Sequence, residues 1–133
     1  MRYMLDTNIC IYIIREKPVK VLRKLCTFEL SDIVISAITH SELEYGVSKS
    51  SRREENREAL NNFLSPLEIV PYDDKAAVVY GQIRTQLERK GAVVGAMDML
   101  IGAHARSIPV TLVTNNLKEF KRIPELRVEN WAR

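Results

Sequence analysis

Residues 2–14, RYMLDTNICIYII, decide the fold. A short apolar run over 2–5 stops at Asp6, and Asp6-Thr7-Asn8 then opens a helical stretch that reaches Ile14. A strand running straight into a helix begins an alternation, and the rest of the chain continues it. Lys17-Pro18 breaks the first helix, and a second follows with Val21, Leu22, Leu25 and Phe28 at helical spacing. Residues 32–35, DIVI, are a β-branched run of strand length, and Thr39–Ser48 reads as helix. Ser51 with Glu54 predicts a capping box for another helix ending near Leu64. A third strand is expected over 67–70, and a long amphipathic helix over Asp74–Lys90 carries Ala77, Val78, Ile83 and Leu87 on or near one face. After a loop at 91–95, a helix spans Asp98–Arg106, and a fourth strand spans 110–113 with Pro109 at its start, where proline does little harm. Thr114-Asn115-Asn116 leads into a short helix, and 127–129 is a last edge strand.

Apolar runs of about four residues alternating with helices of about ten predict an α/β fold with a mostly parallel sheet covered on both faces. The 133 residues make one domain, 1–133, since two independent cores would not fit. Hydrophobic residues at 46% and charged residues at 28% describe an ordinary globular chain and exclude a disordered one. Net charge is +3, too mild to announce nucleic acid alone. The basic groups Lys49-Arg52-Arg53 and Lys118-Lys121-Arg122 read equally as phosphate contacts or as solvated helix faces. Cys10 and Cys26 have no paired spacing and read as small buried hydrophobes rather than a disulfide or zinc site. No apolar stretch approaches the ~20 residues of a membrane span, and the Ile9–Ile14 run is too short for a signal sequence. The expected compartment is the cytoplasm.

In sheets of this kind ligands bind beyond the carboxyl ends of the strands. Asp6 follows strand one, Glu42 lies in the first turn after strand two, and Asn115 and Asn116 follow strand four. Asp98 begins a helix that runs back along the strands, so it reaches the same edge if strands one, two and four are neighbours. Each acid also has an ordinary explanation. Asp6 and Asp98 can cap helices, and Glu42, three residues after Thr39, can complete a capping box. As a group they are harder to dismiss, because clustered carboxylates repel one another without a compensating cation. Hard oxygen ligands with no His or Cys beside them favour Mg²⁺ or Mn²⁺ over zinc. Hydrolysis of phosphodiesters suits such a constellation.

His40 and His104 offer a general base or a substrate contact, although a lone helical histidine is more often structural. Glu44 points away from Glu42 and should be solvated, while Asp73 and Asp74 read as caps. Arg84, Arg89 and Lys90 flank the 91–95 loop and are candidate contacts to the phosphates of a substrate, with a solvated face as the alternative. Ile11, Ile14 and Leu22 belong either to extra core or to a dimer face. A phosphoaspartyl enzyme fits poorly. Dehalogenase-like phosphatases need an Asp where Asn8 stands, and receiver domains need an acidic pair where Asp6-Thr7 stands. A non-catalytic binding module would not need all three acids.

Four segments carry a family resemblance: Met4–Asn8, Ser41–Gly46, Gly95–Ile101 with Ala103-His104-Ala105, and Val113–Phe120. Together, in this order and at these separations, they resemble PIN-domain nucleases of the VapC toxin type from residue 2 to about Trp131. The resemblance implies a three-layer α/β/α PIN domain with a five-stranded parallel sheet, Mg²⁺ or Mn²⁺ dependence, and RNA cleavage. It places metal-binding carboxylates at Asp6, Glu42 and Asp98, with Asn116 as a further active-site position and Thr7, Asn8, Thr114 and Asn115 in support. It also implies a toxin that is usually a homodimer, is held inactive by a VapB-type antitoxin, and cuts tRNA, above all the anticodon stem-loop of initiator tRNA. Many PIN domains have Asp where this chain has Asn116, which weakens a second metal position. Glu119, one helical turn on, is placed to supply that charge through water, or simply to complement its helix dipole.

Overall fold

The β-branched and leucine-rich runs pair into one sheet. In the computed structural model, which describes residues 2–132, β1 (Tyr3–Leu5) leads into α1 (Thr7–Arg15) and α2 (Val19–Leu25). β2 (Ile33–Ser36), α3 (Ala37–Ser48) and α4 (Arg53–Leu64) follow, then β3 (Glu68–Val70) and α5 (Asp74–Lys90). α6 (Ala96–Ser107), β4 (Thr111–Val113), α7 (Leu117–Phe120) and β5 (Val128–Glu129) complete the chain. The strand order is β3-β2-β1-β4-β5 and every pairing is parallel, where the sequence pattern gave only a mostly parallel sheet.

β1 is central, and its alternating side chains divide the core. Met4 packs with Ile83, Leu87, Met99, Ile101 and Phe120, on the side of α5, α6 and α7. Tyr3 and Leu5 pack with Ile9, Val21, Leu43, Leu60 and Trp131, beneath α1, α2, α3 and α4. Two apolar faces on one sheet give the three-layer sandwich.

Helix ends differ from the sequence pattern where two residues compete for one capping role. Ser36, in extended conformation at the end of β2, accepts a hydrogen bond from the Ile38 N–H and starts α3 at Ala37. Glu42 therefore sits in the second turn and is not the capping-box partner of Thr39, which is buried with no partner for its hydroxyl among the described residues. At α4 the Ser51–Glu54 capping box does not form. Ser50 Oγ instead accepts from the Arg52 N–H and the Asn56 amide. α2 stops at Leu25, so Phe28 leaves the helix and stacks on Trp131, with ring centroids 5.3 Å apart and planes at 12°. Asp73 caps α5 through the Ala76 N–H as expected, and Gly91, at φ +66°, ends it in the left-handed conformation that glycine adopts without strain.

Ser36 carries a second bond, 2.7 Å from its hydroxyl to Nδ1 of buried His104. Burial pushes the His104 pKa down, and the ring packs edge-on against Tyr72 at 5.4 Å, so this histidine is structural. Ser36→Ala removes both a cap and a buried hydrogen bond. The expected loss is about 1–2 kcal/mol in urea unfolding, with an unchanged m-value.

Candidate active site

Because β2, β1 and β4 are neighbours, their carboxyl ends form one short edge, and the acids meet there. Asp6 follows β1 and is 4% exposed. Its Oδ1 accepts the Asn8 N–H at 2.8 Å, capping α1, and its Oδ2 accepts the Thr114 hydroxyl. Thr114 Oγ1 in turn accepts the Asn116 N–H at 2.9 Å, so the turn after β4 is built around the carboxylate of β1. The Thr7 hydroxyl donates to Glu42 Oε1 at 2.5 Å and ties α1 to α3. Asp98 lies in the first turn of α6, and its Oδ2 is 3.4 Å from the Asn116 amide nitrogen. The same nitrogen donates to Glu119 Oε2 at 2.7 Å, while Glu119 Oε1 accepts the Gly95 N–H at 2.7 Å. Asn116 is thus a bridge between two carboxylates.

The electrostatics follow from this crowding. Burial raises the Asp6 pKa, hydrogen bonds from Thr114 and the backbone N–H groups of Asn8 and Ile9 oppose it, and the charge of Glu42 adds to it. Asp98 is pushed up to about 6, first by burial and then by the charges of Glu119, Asp6 and Glu42. Glu119 is lowered, chiefly by the Gly95 N–H and then by Asn116. No cation is among the groups that shift Asp6 or Asp98. Among the described residues, no three Asp, Glu, His or Cys side chains stand close enough to hold a metal ion on their own. The donors at this edge are carboxylate and amide oxygens, hard ligands of the kind that divalent cations take. A caged structural ion would need a denser set.

Asn8 and Asn115 join the rim: the Asn8 amide lies 3.4 Å from Asn115 Oδ1, and Asn115 Nδ2 donates to the Tyr12 hydroxyl at 2.7 Å. Sequence reasoning missed Tyr12, although it stands one helical turn after Asn8. It also missed the Gly95 N–H as a donor, and Arg122, read as a phosphate contact or a solvated face, instead donates to the Val93 carbonyl at 3.1 Å and braces the 91–95 loop.

Other sequence candidates lie apart from this cluster. Arg84 is engaged along its own helix, with Glu88 at 3.2 Å and the Tyr80 hydroxyl at 3.0 Å. Arg89 and Lys90 are exposed in the last turn of α5, and no hydrogen bond links them to the acids. Glu44 is not simply solvated. Arg57 grips both its oxygens, at 2.9 and 2.6 Å, His40 Nε2 lies 3.0 Å away, and these partners lower its pKa. Cys10 is buried and its thiol pKa is raised by that burial, but Cys26 is exposed because α2 ends one residue before it. Lys49 lies over the Tyr45 ring and Arg52 pairs with Glu55, so those two cations are drawn to their own surface. Ile11 and Ile14 line, with Leu43, Val47 and Leu60, an apolar cleft of ≈ 210 Å³ that has Glu42 on its wall.

Comparison with known proteins agrees with this fold. The PIN domain family model matches residues 3–126. Ribonuclease VapC2 of Rickettsia felis is 50% identical over 132 residues, covering 98% of each chain. The tRNA(fMet)-specific endonuclease VapC of Salmonella typhimurium is 46% identical, covering 99% of each. Among solved structures, VapBC from Salmonella typhimurium bound to DNA superposes with a TM-score of 0.92 at 46% identity over 98% of both chains. VapBC2 from Rickettsia felis, bound to a promoter DNA fragment, gives 0.91 at 48% identity, covering 98% of this chain and 99% of the other. An all-parallel five-stranded sheet with acids gathered on its central carboxyl edge, matched along nearly its whole length by these relatives, belongs to the PIN-domain family, among its VapC ribonucleases.

Proposed function

We propose that this chain is the toxin of a VapBC-type pair, an endoribonuclease that hydrolyses RNA phosphodiester bonds with Mg²⁺, or Mn²⁺ in its place. The observation that carries the reading is the gathering of Asp6, Glu42, Asp98 and Glu119 on one sheet edge, where burial first and then the other three carboxylates push Asp98 up to about 6. Such a site is poised for a divalent ion and, through it, for a phosphate. Asp6, Glu42 and Asp98 would hold the ion, directly or through water, with Asn116 and Glu119 shaping its far side. When bound, a divalent ion makes water a better nucleophile at neutral pH and offsets charge that builds on the phosphoryl oxygens.

The protein's own groups prepare the site. Thr114 and the Asn8 N–H fix the Asp6 carboxylate, Thr7 fixes Glu42, and the Asn116 amide holds Asp98 against Glu119. Each acid thus has at least one oxygen committed to a donor, and Asp6 has both, which limits rotation when substrate arrives.

The substrate assigned is tRNA, and initiator tRNA in particular, since a relative 46% identical over almost the full chain carries the name tRNA(fMet)-specific endonuclease. The partners assigned are a VapB-type antitoxin and a second copy of this chain, in the cytoplasm. The related solved structures are VapBC complexes, and no helix among the described residues is long and apolar enough to cross a membrane.

The test is cleavage of purified initiator tRNA beside an elongator tRNA, in Mg²⁺, in Mn²⁺ and in excess chelator. Metal-dependent cutting of the initiator alone is expected. Cutting of some other RNA only would remove the tRNA assignment. The absence of cleavage on every RNA with every metal would remove the enzyme.

A further inference from the structure

The basic residues that matter outside the cleavage site are on α2. Between Arg15 and Thr27 the chain carries five cations, Arg15, Lys17, Lys20, Arg23 and Lys24, against one acid, Glu16. Lys20, Arg23 and Lys24 recur at helical spacing, all three are exposed, and none forms an ion pair among the described residues. They line a groove of ≈ 520 Å³ whose opposite wall is the end of β5, Glu129, Asn130 and Trp131.

The groove has a built floor and a defined direction. Trp131 is buried and stacks on Phe28, and the Lys24 ammonium lies 5.6 Å from the Phe28 ring centroid. The single carboxylate on the wall, Glu129, accepts the Trp131 indole N–H at 3.2 Å, which leaves three cations against one partly engaged acid. Asn130 has its oxygen on the Ala132 N–H, so its NH₂ group remains a donor. Glu129 pairs with Val113 across the sheet, and its carbonyl accepts the Thr114 N–H at 2.9 Å. Thr114 is the residue that holds Asp6. The backbones of Asp6 and Glu129 are thus two strand spacings apart, about 10 Å, so the strand-end wall of the groove, Glu129 and Asn130, lies along the sheet edge from Asp6.

We infer that the groove formed by Lys20, Arg23 and Lys24 against Asn130 is a phosphate track that takes the RNA strand beyond the bond being cut. An acidic cleavage site repels a polyanion, so substrate must be held by cations placed beside the acids. An unpaired basic helix face set against the strand end next to Thr114 meets that need, and its phosphate contacts would position the strand without reading its bases. The inference rests on the ribonuclease reading for its setting, but its test does not depend on turnover.

The experiment compares the parent chain with Lys20→Gln/Arg23→Gln/Lys24→Gln. Binding of a fluorescein-labelled tRNA is followed by anisotropy in excess chelator across a salt series, with melting curves confirming that both proteins are folded. Affinity at low salt is expected to fall at least tenfold, and the slope of log K against log salt to drop by about 2. Where the parent cleaves RNA, KM should rise with kcat within twofold. Unchanged affinity and slope would overturn the track. Loss of duplex DNA binding with RNA binding unchanged would overturn its assignment to RNA. Failure of the parent to cleave any RNA counts against the ribonuclease reading alone, since the binding arm still decides the track.

Discussion

Asp6→Asn and Asp98→Asn are each expected to reduce RNA cleavage at saturating Mg²⁺ by at least about 10²–10³-fold, the usual loss when one electrostatic group is removed from a preorganised site. Their circular dichroism should match the parent. Asp6 is the more demanding case. Its carboxylate accepts the Asn8 N–H and the Thr114 hydroxyl, and an amide keeps a single oxygen acceptor. Asn at position 6 can retain the cap to Asn8 but presents its NH₂ group toward Thr114. The Thr114 hydroxyl can rotate to accept from that group, so the geometry survives while the charge does not. Single-turnover cleavage separates this from weaker substrate binding. Near-parental rates in either variant, with metal dependence intact, would show that these acids are not the metal ligands.

The second large effect is on stability, with the opposite sign. The Asp98 pKa rises from an ordinary 3.8 to about 6 in the folded, metal-free protein. Between those values the folded state holds a proton that the unfolded state has released, so stability falls as pH rises from about 4 to 6 and stays at its lower level above that. The full shift corresponds to about 3 kcal/mol, and partial exposure to solvent brings this to about 1–3 kcal/mol. Asp98→Asn removes the ionisation altogether. In chelator it should melt several degrees above the parent at pH 7.5 and level with it near pH 4. Saturating Mg²⁺ should stabilise the parent more than the variant. A variant that melts below the parent at pH 7.5 in chelator would mean that the Asn116 contact outweighs the repulsion.

Much of this was legible in the sequence because local chemistry and tertiary fold agree. The strand-to-helix step at Asp6, the β-branched run of β2 and the long amphipathic α5 each follow from periodicity over a few residues. The central adjacency of β1 with β2 and β4 was conditional, since no local signal orders parallel strands. It is decided by burial on both faces of β1 and β4, with Met4 and Leu112 in one core layer and Leu5 and Val113 in the other. Where two hydroxyls compete within a few residues, as Ser36 with Thr39 and Ser50 with Ser51, the backbone at the end of the preceding element chooses, and the pattern does not show which. The bond from Thr114 to Asp6 spans 108 residues and has no local trace. The fate of long side chains was equally hidden. Arg84 looked free and turned along its own helix, while Glu44 looked free and found Arg57 on the next one. The α2 cations went unremarked because helical spacing alone does not say what a face looks onto.

The position of β1 in the middle of the sheet also bears on synthesis. β1 is flanked on one side by β4 and then β5, which are synthesised long after it. Thr114 and Glu119, which order Asp6 and the loop beside Asp98, emerge with them, and Trp131 closes the layer under α2 later still. A chain that is still being translated can form its early helices and the β1–β2–β3 pairing, but it cannot assemble the acidic edge. A ribosome that stalls before β4 therefore releases a fragment that lacks Thr114 and Glu119 and leaves the Asp6 carboxylate without its hydroxyl donor.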